Sequence, residues 1–172
     1  MNVLERASDL VEMSAVSDLV NGWPGGIIQA SRHAVFVTPI YLVNQLYREH
    51  LGTERLAIRV DSPVFDSTVE GNGVPYLDAV ASRSADAKHV FIKMVNSHPE
   101  QALRTKVSVT GALIAGNAEM KTLTADSLHM ANSFAAPETV SIKRSEIPAG
   151  SEFWIDLPKH SVSVLTMEAG TR

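Results

Sequence analysis

Cysteine is absent from the 172 residues, which excludes disulfides, a thiolate nucleophile and every zinc site built on cysteine, and leaves the compartment open on that count. A basic excess is also absent. The 15 Lys and Arg stand against 19 Asp and Glu, a formal charge of -4, whereas phosphate-backbone binding needs the opposite balance, so nucleic acid is not an expected partner. No apolar run approaches the roughly 20 residues of a membrane helix. The first residues carry Glu5 and Arg6 where a signal peptide would be apolar. The expectation is a cytoplasmic chain without a membrane partner. Asn96-Ser97-His98 and Asn132-Ser133-Phe134 both fail as glycosylation sequons at the third position. Aromatics make up only 6% of the chain, thin material for a sugar platform. Trp23, Tyr76 and Trp154 are the stacking candidates, and core or interface filling explains each without a ligand. What remains, 45% hydrophobic and 20% charged, suits one globular domain with a buried core.

Two regions differ in period. Over residues 2–21, Val3, Ala7, Leu10, Val11, Ser14, Leu19 and Val20 recur at three-to-four spacing, which predicts one amphipathic helix. Asn21-Gly22-Trp23-Pro24-Gly25-Gly26 then breaks the backbone into a loop. Thr38-Pro39 reads as a capping hydroxyl followed by proline at the first helical position. Gly52 falls where a left-handed C-terminal cap would close that helix. Its buried stripe is expected to be Ile40, Val43, Leu46, Tyr47 and His50.

From Glu54 the period is two. Leu56, Ile58 and Val60 alternate with Ala57, Arg59 and Asp61; Val90, Ile92 and Met94 with Phe91, Lys93 and Val95; Val107 and Val109 with Ser108 and Thr110. Further strands are expected at 77–83, 119–125, 139–143, 152–157 and 161–167, with a hairpin turn at 84–87 and a short helical turn within 126–132. About eight strands in this arrangement predict a mainly β chain, an antiparallel β-sandwich of the jelly-roll kind behind two α-helices. The expected boundary separates a helical segment, 1–52, from a sandwich domain, 53–172. Two helices around a glycine-rich loop cannot close a core alone, so they must lean on the sandwich or on further chain.

Direct signs of chemistry are few. The six histidines form no i,i+4 metal pair, and no metal or cofactor is expected. Asp9 and Glu12 read as the solvated face of a helix rather than an acid and base. The glycine-rich stretches lack the endings of phosphate-binding loops, and no serine sits in a Gly-x-Ser-x-Gly elbow.

Several segments, taken in order, carry a family likeness. They are Asn2-Val3-Leu4-Glu5-Arg6-Ala7-Ser8-Asp9 with Leu19-Val20-Asn21-Gly22-Trp23; Val35-Phe36-Val37-Thr38-Pro39-Ile40-Tyr41-Leu42-Val43-Asn44-Gln45-Leu46-Tyr47; Met94-Val95-Asn96; Asn132-Ser133-Phe134-Ala135-Ala136-Pro137-Glu138-Thr139-Val140; and Leu157-Pro158-Lys159-His160-Ser161-Val162-Ser163-Val164-Leu165. Together they resemble the C-terminal part of the α-L-arabinofuranosidases of glycoside hydrolase family 51. The helices then resemble the end of a (β/α)8 barrel, with the sandwich as an accessory domain.

The resemblance implies a retaining enzyme that removes terminal arabinofuranosyl residues from arabinan or arabinoxylan by means of two glutamates. Both would lie on earlier barrel strands, upstream of Asn2, so no catalytic residue is expected in this chain. The expected partners are the missing catalytic barrel, through it an arabinose-containing polysaccharide or oligosaccharide, and further copies of the chain in a homo-oligomer. Exposure of Val3, Leu10, Val11, Ile40, Val43 and Leu46 would drive that self-association. In many relatives a glutamine that hydrogen-bonds the sugar precedes the closing helix; here that position is Thr38, for which helix capping is a sufficient explanation. Thr38, Trp23 and Gln29 are the substrate-binding candidates along the wall and mouth of such a pocket. The reading from a different class is a free-standing carbohydrate-binding or protein-interaction sandwich.

Overall fold

The computed structural model describes residues 1–22, 26–114 and 116–170. In chain order its elements are α1 Asn2–Arg6, β1 Ile28–Ala30, β2 Val35–Val37, α2 Pro39–Glu49, β3 Glu54–Leu56, β4 Val64–Ser67, β5 Gly71–Pro75 and β6 Leu77–Arg83. There follow β7 His89–Asn96, β8 Leu103–Ser108, β9 Leu113–Ile114, β10 Asn117–Leu123, β11 Ile142–Pro148, β12 Glu152–Leu157 and β13 Ser161–Gly170. A large antiparallel sheet runs in the order β11-β10-β13-β7-β6-β3, with β9 on the end of β13. The remaining strands form three two-stranded ribbons, β8–β12, β1–β2 and β4–β5.

The large sheet is covered on both faces, and this produces three layers. On the inner face Leu77, Ala79, Val90, Ile92, Met94, Met120, Leu165 and Met167 pack against Val107, Phe153, Ile155 and Leu157 of the β8–β12 ribbon, which makes the sandwich. On the outer face Leu46 and Tyr47 of α2 pack against Leu123, Val140 and Val164. Double coverage explains why β7 and β13 are buried at consecutive positions instead of alternating. Asn96 ties the layers at one end. Its amide nitrogen donates to the carbonyls of Gln101, Leu157 and Pro158 at 3.0, 3.1 and 2.8 Å, and its carbonyl accepts from the His98 amide at 2.9 Å.

The expected antiparallel sandwich is observed, and β6 and β12 occupy the expected spans. The β6–β7 turn also closes where expected. Ala87 is left-handed there, and Asp86 accepts from the Ser84 hydroxyl at 2.6 Å and the Lys88 amide at 3.1 Å. Several local expectations need correction. The helix over 2–21 is only α1, because Asp18 and Asn21 adopt left-handed backbone and Leu19 and Asn21 bond to Ile28, adding this segment to β1 as a parallel bridge. Val3 and Leu10 are exposed; the side chain α1 buries is Asn2.

The strand from Leu56 to Asp61 stops at Leu56. Further along the same edge of β6, the Ala79 carbonyl takes the Arg6 side chain, so α1 occupies the place of a longer β3. The ribbons β1–β2 and β4–β5 and the short β9 went unforeseen, being brief and, at Gly71 and Gly73, rich in glycine. Residues 126–132 form a hydrogen-bonded turn at Ser127–Met130, without a helix.

α2 begins at Pro39 as expected, with Leu46, Tyr47 and His50 buried, but Ile40 is exposed. Leu46 is fully covered by the sheet, so the apolar stripe proposed for self-association does not exist as one patch. Gly52 is not a left-handed cap. Its role is close approach, since a Cβ there would lie 2.4 Å from Ser82 Cβ and 2.9 Å from the Arg83 carbonyl. Gly52→Ala should therefore lower stability by about 1–3 kcal/mol through overpacking. Gly150→Ala, with nothing within 4 Å of the new methyl, should stay within about 0.5 kcal/mol of the unmodified chain. Urea denaturation checks the pair, and equal midpoints for the two variants would contradict the close-approach role.

Candidate functional site

The outer face of the large sheet carries charge where an apolar surface would be expected. Lys93, in the middle of β7, is 1% exposed, and its ammonium pairs with Glu5 of α1 and lies 5.1 Å from the centre of the Tyr47 ring. Asn2, Glu5 and Arg6 are spaced three and four residues apart and share one helical face, so α1 meets the sheet through a polar stripe. Arg6 forks onto Asp78 of β6 at 2.6 and 3.2 Å. The Asn2 amide donates to the same carboxylate at 3.0 Å, and the Tyr47 hydroxyl donates to the Asn2 carbonyl. Burial, reinforced by Glu5 and Asp78, pushes the Tyr47 phenol well above its usual value, so it remains a donor. A second pair repeats the arrangement under α2. Lys121 of β10 meets Glu49 at 3.0 Å, and Glu49 is held below the usual carboxylate range by Gln45 and Lys121.

Beside this belt stands the β1–β2 ribbon that carries the expected sugar-binding residues. Its register places Ile28 opposite Val37 and Gln29 opposite Phe36. The Thr38 amide and hydroxyl both donate to the Ile27 carbonyl, at 2.9 and 3.2 Å. Thr38 does hold the N-cap position of α2, but its hydroxyl makes no capping bond, which corrects the capping explanation. The Gln29 side-chain amide donates to the Gly26 carbonyl at 2.7 Å. The structure thus brings Thr38 and Gln29 together on one ribbon, each with its side chain turned to a local carbonyl. Trp23 lies outside the described residues.

A loop of the sandwich holds this ribbon from behind. The Asn132 amide nitrogen donates to the carbonyls of Val37 and Val140, both at 2.9 Å, and its carbonyl accepts from the Val140 amide at 2.7 Å. Two residues on, Phe134 meets Phe36 edge to face, with ring centres 4.8 Å apart. The Asn132-x-Phe134 motif is therefore a brace between the sandwich and the segment leading into α2.

Two open grooves flank the belt. One, of about 510 Å³, is lined by Val16, Leu19, Ile27, Tyr41, Gln45 and Glu49 among others, and its carboxylate is the Glu49 already paired with Lys121. The other, of about 450 Å³, contains Asp61 and Asp78, and Asp78 is engaged by Arg6 and Asn2. Among the described residues, no group of three or more His, Asp or Glu side chains is placed to hold a metal, and no helix is long and apolar enough to cross a membrane. Of the aromatic candidates, Tyr76 is occupied by Phe65 and His98, at 4.6 and 4.3 Å between ring centres, whereas Trp154 stands exposed. Sequence reasoning missed the Lys93 cluster; its one signal was a lysine within the apolar stretch from Val90 to Val95.

The class defined by this architecture is a β-sandwich whose large sheet carries a helical strap on its outer face. The chain belongs to the alpha-L-arabinofuranosidase C-terminal domain family, which matches residues 1–161. Among solved structures it is similar to an α-L-arabinofuranosidase from Thermotoga maritima in complex with arabinose (TM-score 0.88, 30% identity, 96% of this chain and 36% of that one). It is also similar to the glycoside hydrolase family 51 α-L-arabinofuranosidase from Thermotoga petrophila (TM-score 0.87, 29% identity, 95% of this chain and 35% of that one). The family 51 arabinofuranosidase of Xanthomonas axonopodis shares the fold at 23% identity, with a TM-score of 0.83. The chain spans about a third of the length of these enzymes. No curated protein matches it.

Two outcomes follow from the belt. Glu5→Ala leaves the Lys93 ammonium buried without its carboxylate and should cost about 3 kcal/mol, whereas Glu5→Leu combined with Lys93→Met should recover most of that loss. Thermal or urea unfolding of the set decides, and an unchanged Glu5→Ala midpoint would deny the pair its role. His50 supplies the pH dependence. Burial holds its imidazole below the ordinary 6.5, Lys121 acts in the same direction, and the Leu46 carbonyl, Glu49 and Glu119 oppose. The unfolded chain then binds the proton first, so stability present above pH 6.5 is lost as pH falls through the folded value. His50→Gln should flatten urea midpoints measured from pH 7.5 down to about 5.

Proposed function

We propose that these residues are the C-terminal portion of a retaining α-L-arabinofuranosidase that cleaves terminal arabinofuranosides of arabinan or arabinoxylan, and that the chain is inactive alone. The observation that carries this reading is the coverage, nearly all of this chain against 36% of the T. maritima enzyme. The balance leaves room for most of a (β/α)8 barrel, which takes about 250 residues and gathers its site at the ends of many strands.

Chemistry supports the same division. A retaining glycosidase needs two carboxyl groups about 5–5.5 Å apart, one as nucleophile and one as acid and base. In the two grooves, Glu49 is paired with Lys121 and Asp78 with Arg6, which supports placing the catalytic groups elsewhere in the parent enzyme. Residues 1–52 are then the tail of the barrel and 53–172 the accessory sandwich. Exposed Leu10, Met13, Leu19 and Ile40 belong to the surface that the barrel covers. Thr38 and Gln29 would take their places at the edge of the sugar pocket once the other walls are present.

Alone, the chain is expected to leave a chromogenic α-L-arabinofuranoside untouched; joined to an upstream barrel with two strand-end glutamates, it is expected to hydrolyse it. Turnover by the chain alone at the rate of a whole enzyme, or a joined enzyme that ignores arabinofuranosides, would overturn the assignment.

A further inference from the structure

We propose that the outward face of the β8–β12 ribbon is a surface site for a neutral, arabinose-bearing polysaccharide, with Trp154 as its stacking platform. Burial along β12 alternates, with Phe153, Ile155 and Leu157 inside and Glu152, Trp154 and Asp156 outside. Trp154 is 55% exposed in mid-strand, and a contact it makes within this chain is with the Arg104 side chain. The register sets Lys106 opposite Trp154 and Arg104 opposite Asp156. The Arg104 guanidinium lies over one face of the indole, 5.5 Å from its centre. Lys106 and Ser108 are engaged by Glu152, at 2.9 and 3.3 Å. Among the described residues, Arg104 and Asp156 have no side-chain hydrogen bond, so the guanidinium that covers one ring face keeps its N–H donors, and Asp156 its acceptors, for a ligand.

Layer order keeps the helical strap off this face: α2 packs on the opposite side of the large sheet, against Leu123, Val140 and Val164. Charge selects the occupant. Arg104 and Lys106 balance Glu152 and Asp156, which gives a polyanion no net attraction, and the core of a protein interface is depleted of charged side chains. An uncharged sugar chain fits what remains, with its C–H face on the indole face that Arg104 leaves open, one hydroxyl accepting from Arg104 and another donating to Asp156. That the sugar bears arabinose rests on the proposed arabinofuranosidase origin; the stacking geometry does not.

Native gels cast with arabinan or arabinoxylan test the site. The chain is expected to be retarded, and Trp154→Ala to run as in a plain gel, an affinity loss of about tenfold or more. Trp154→Tyr should keep part of the retardation. Because the side chain is exposed, the thermal midpoint of Trp154→Ala should stay within about 2 °C. Three results would overturn the proposal: no retardation of the unmodified chain, equal retardation of Trp154→Ala, or equal retardation by polygalacturonate. The turnover assay reads the arabinofuranosidase assignment separately, since it can fail while retardation persists.

Discussion

The buried ammonium of Lys93 constrains everything laid over the outer face of the large sheet. A lysine at 1% exposure must have a carboxylate and further polar company, and Glu5 supplies the first while Tyr47 supplies a ring face. Glu5 reaches that position only if α1 lies with Asn2, Glu5 and Arg6 against β6 and β7. That orientation brings Arg6 onto Asp78 and turns Val3 outward. α2 is fixed by the same demand, because the Tyr47 hydroxyl must meet Asn2 while Leu46 fills the neighbouring apolar patch. The Lys121–Glu49 pair repeats the device a few strands away, at the last turn of α2. The strap is thus placed by paired charges as well as by apolar contact, and removing one member of such a pair leaves the other buried and uncompensated.

A second constraint joins the sandwich to the ribbon in front of α2. Asn132 takes two carbonyls and one amide in a buried position, and Phe134 closes on Phe36. The loop between β10 and β11 therefore does more than connect neighbouring strands. It fixes the backbone at Val37, one residue before Thr38. In the proposed parent enzyme, the accessory domain would in this way set the position of one edge of the sugar pocket without contacting the sugar.

Much of the sandwich was legible from residue order. Alternation at Val90, Ile92 and Met94, and again at Phe153, Ile155 and Leu157, marks the strands that face each other across the core, and the turn at Asp86 falls between two clear runs. Legibility failed where the partner surface is remote in sequence. The pattern of Val3, Leu10 and Val20 is helical in period, yet no surface of this chain receives it, and the segment takes strand-like bonds to Ile28 instead. Ile58 and Val60 alternate like a strand, but at their edge of β6 the Ala79 carbonyl is taken by Arg6, more than fifty positions earlier. The Lys93 cluster was hidden for the same reason. Its members come from α1, α2, β6 and β7, and no local pattern connects a lysine in an apolar strand with a glutamate 88 residues before it. Thr38 and Gln29 were singled out through family likeness alone, and their bonds to nearby carbonyls depend on a ribbon too short to announce itself.

Double coverage of the large sheet also bears on how such a domain can be inherited. A sandwich with one wet face can be shuffled between proteins as a cassette, because nothing on that face needs a particular neighbour. Here α1 and α2 cover the second sheet face. A gene fusion that moved only the β-rich part would carry Lys93, Val164 and Leu123 into solvent, without the groups that answer them. Strap and sandwich must therefore travel together, and recombination between relatives should avoid the border that a change from helix to strand suggests.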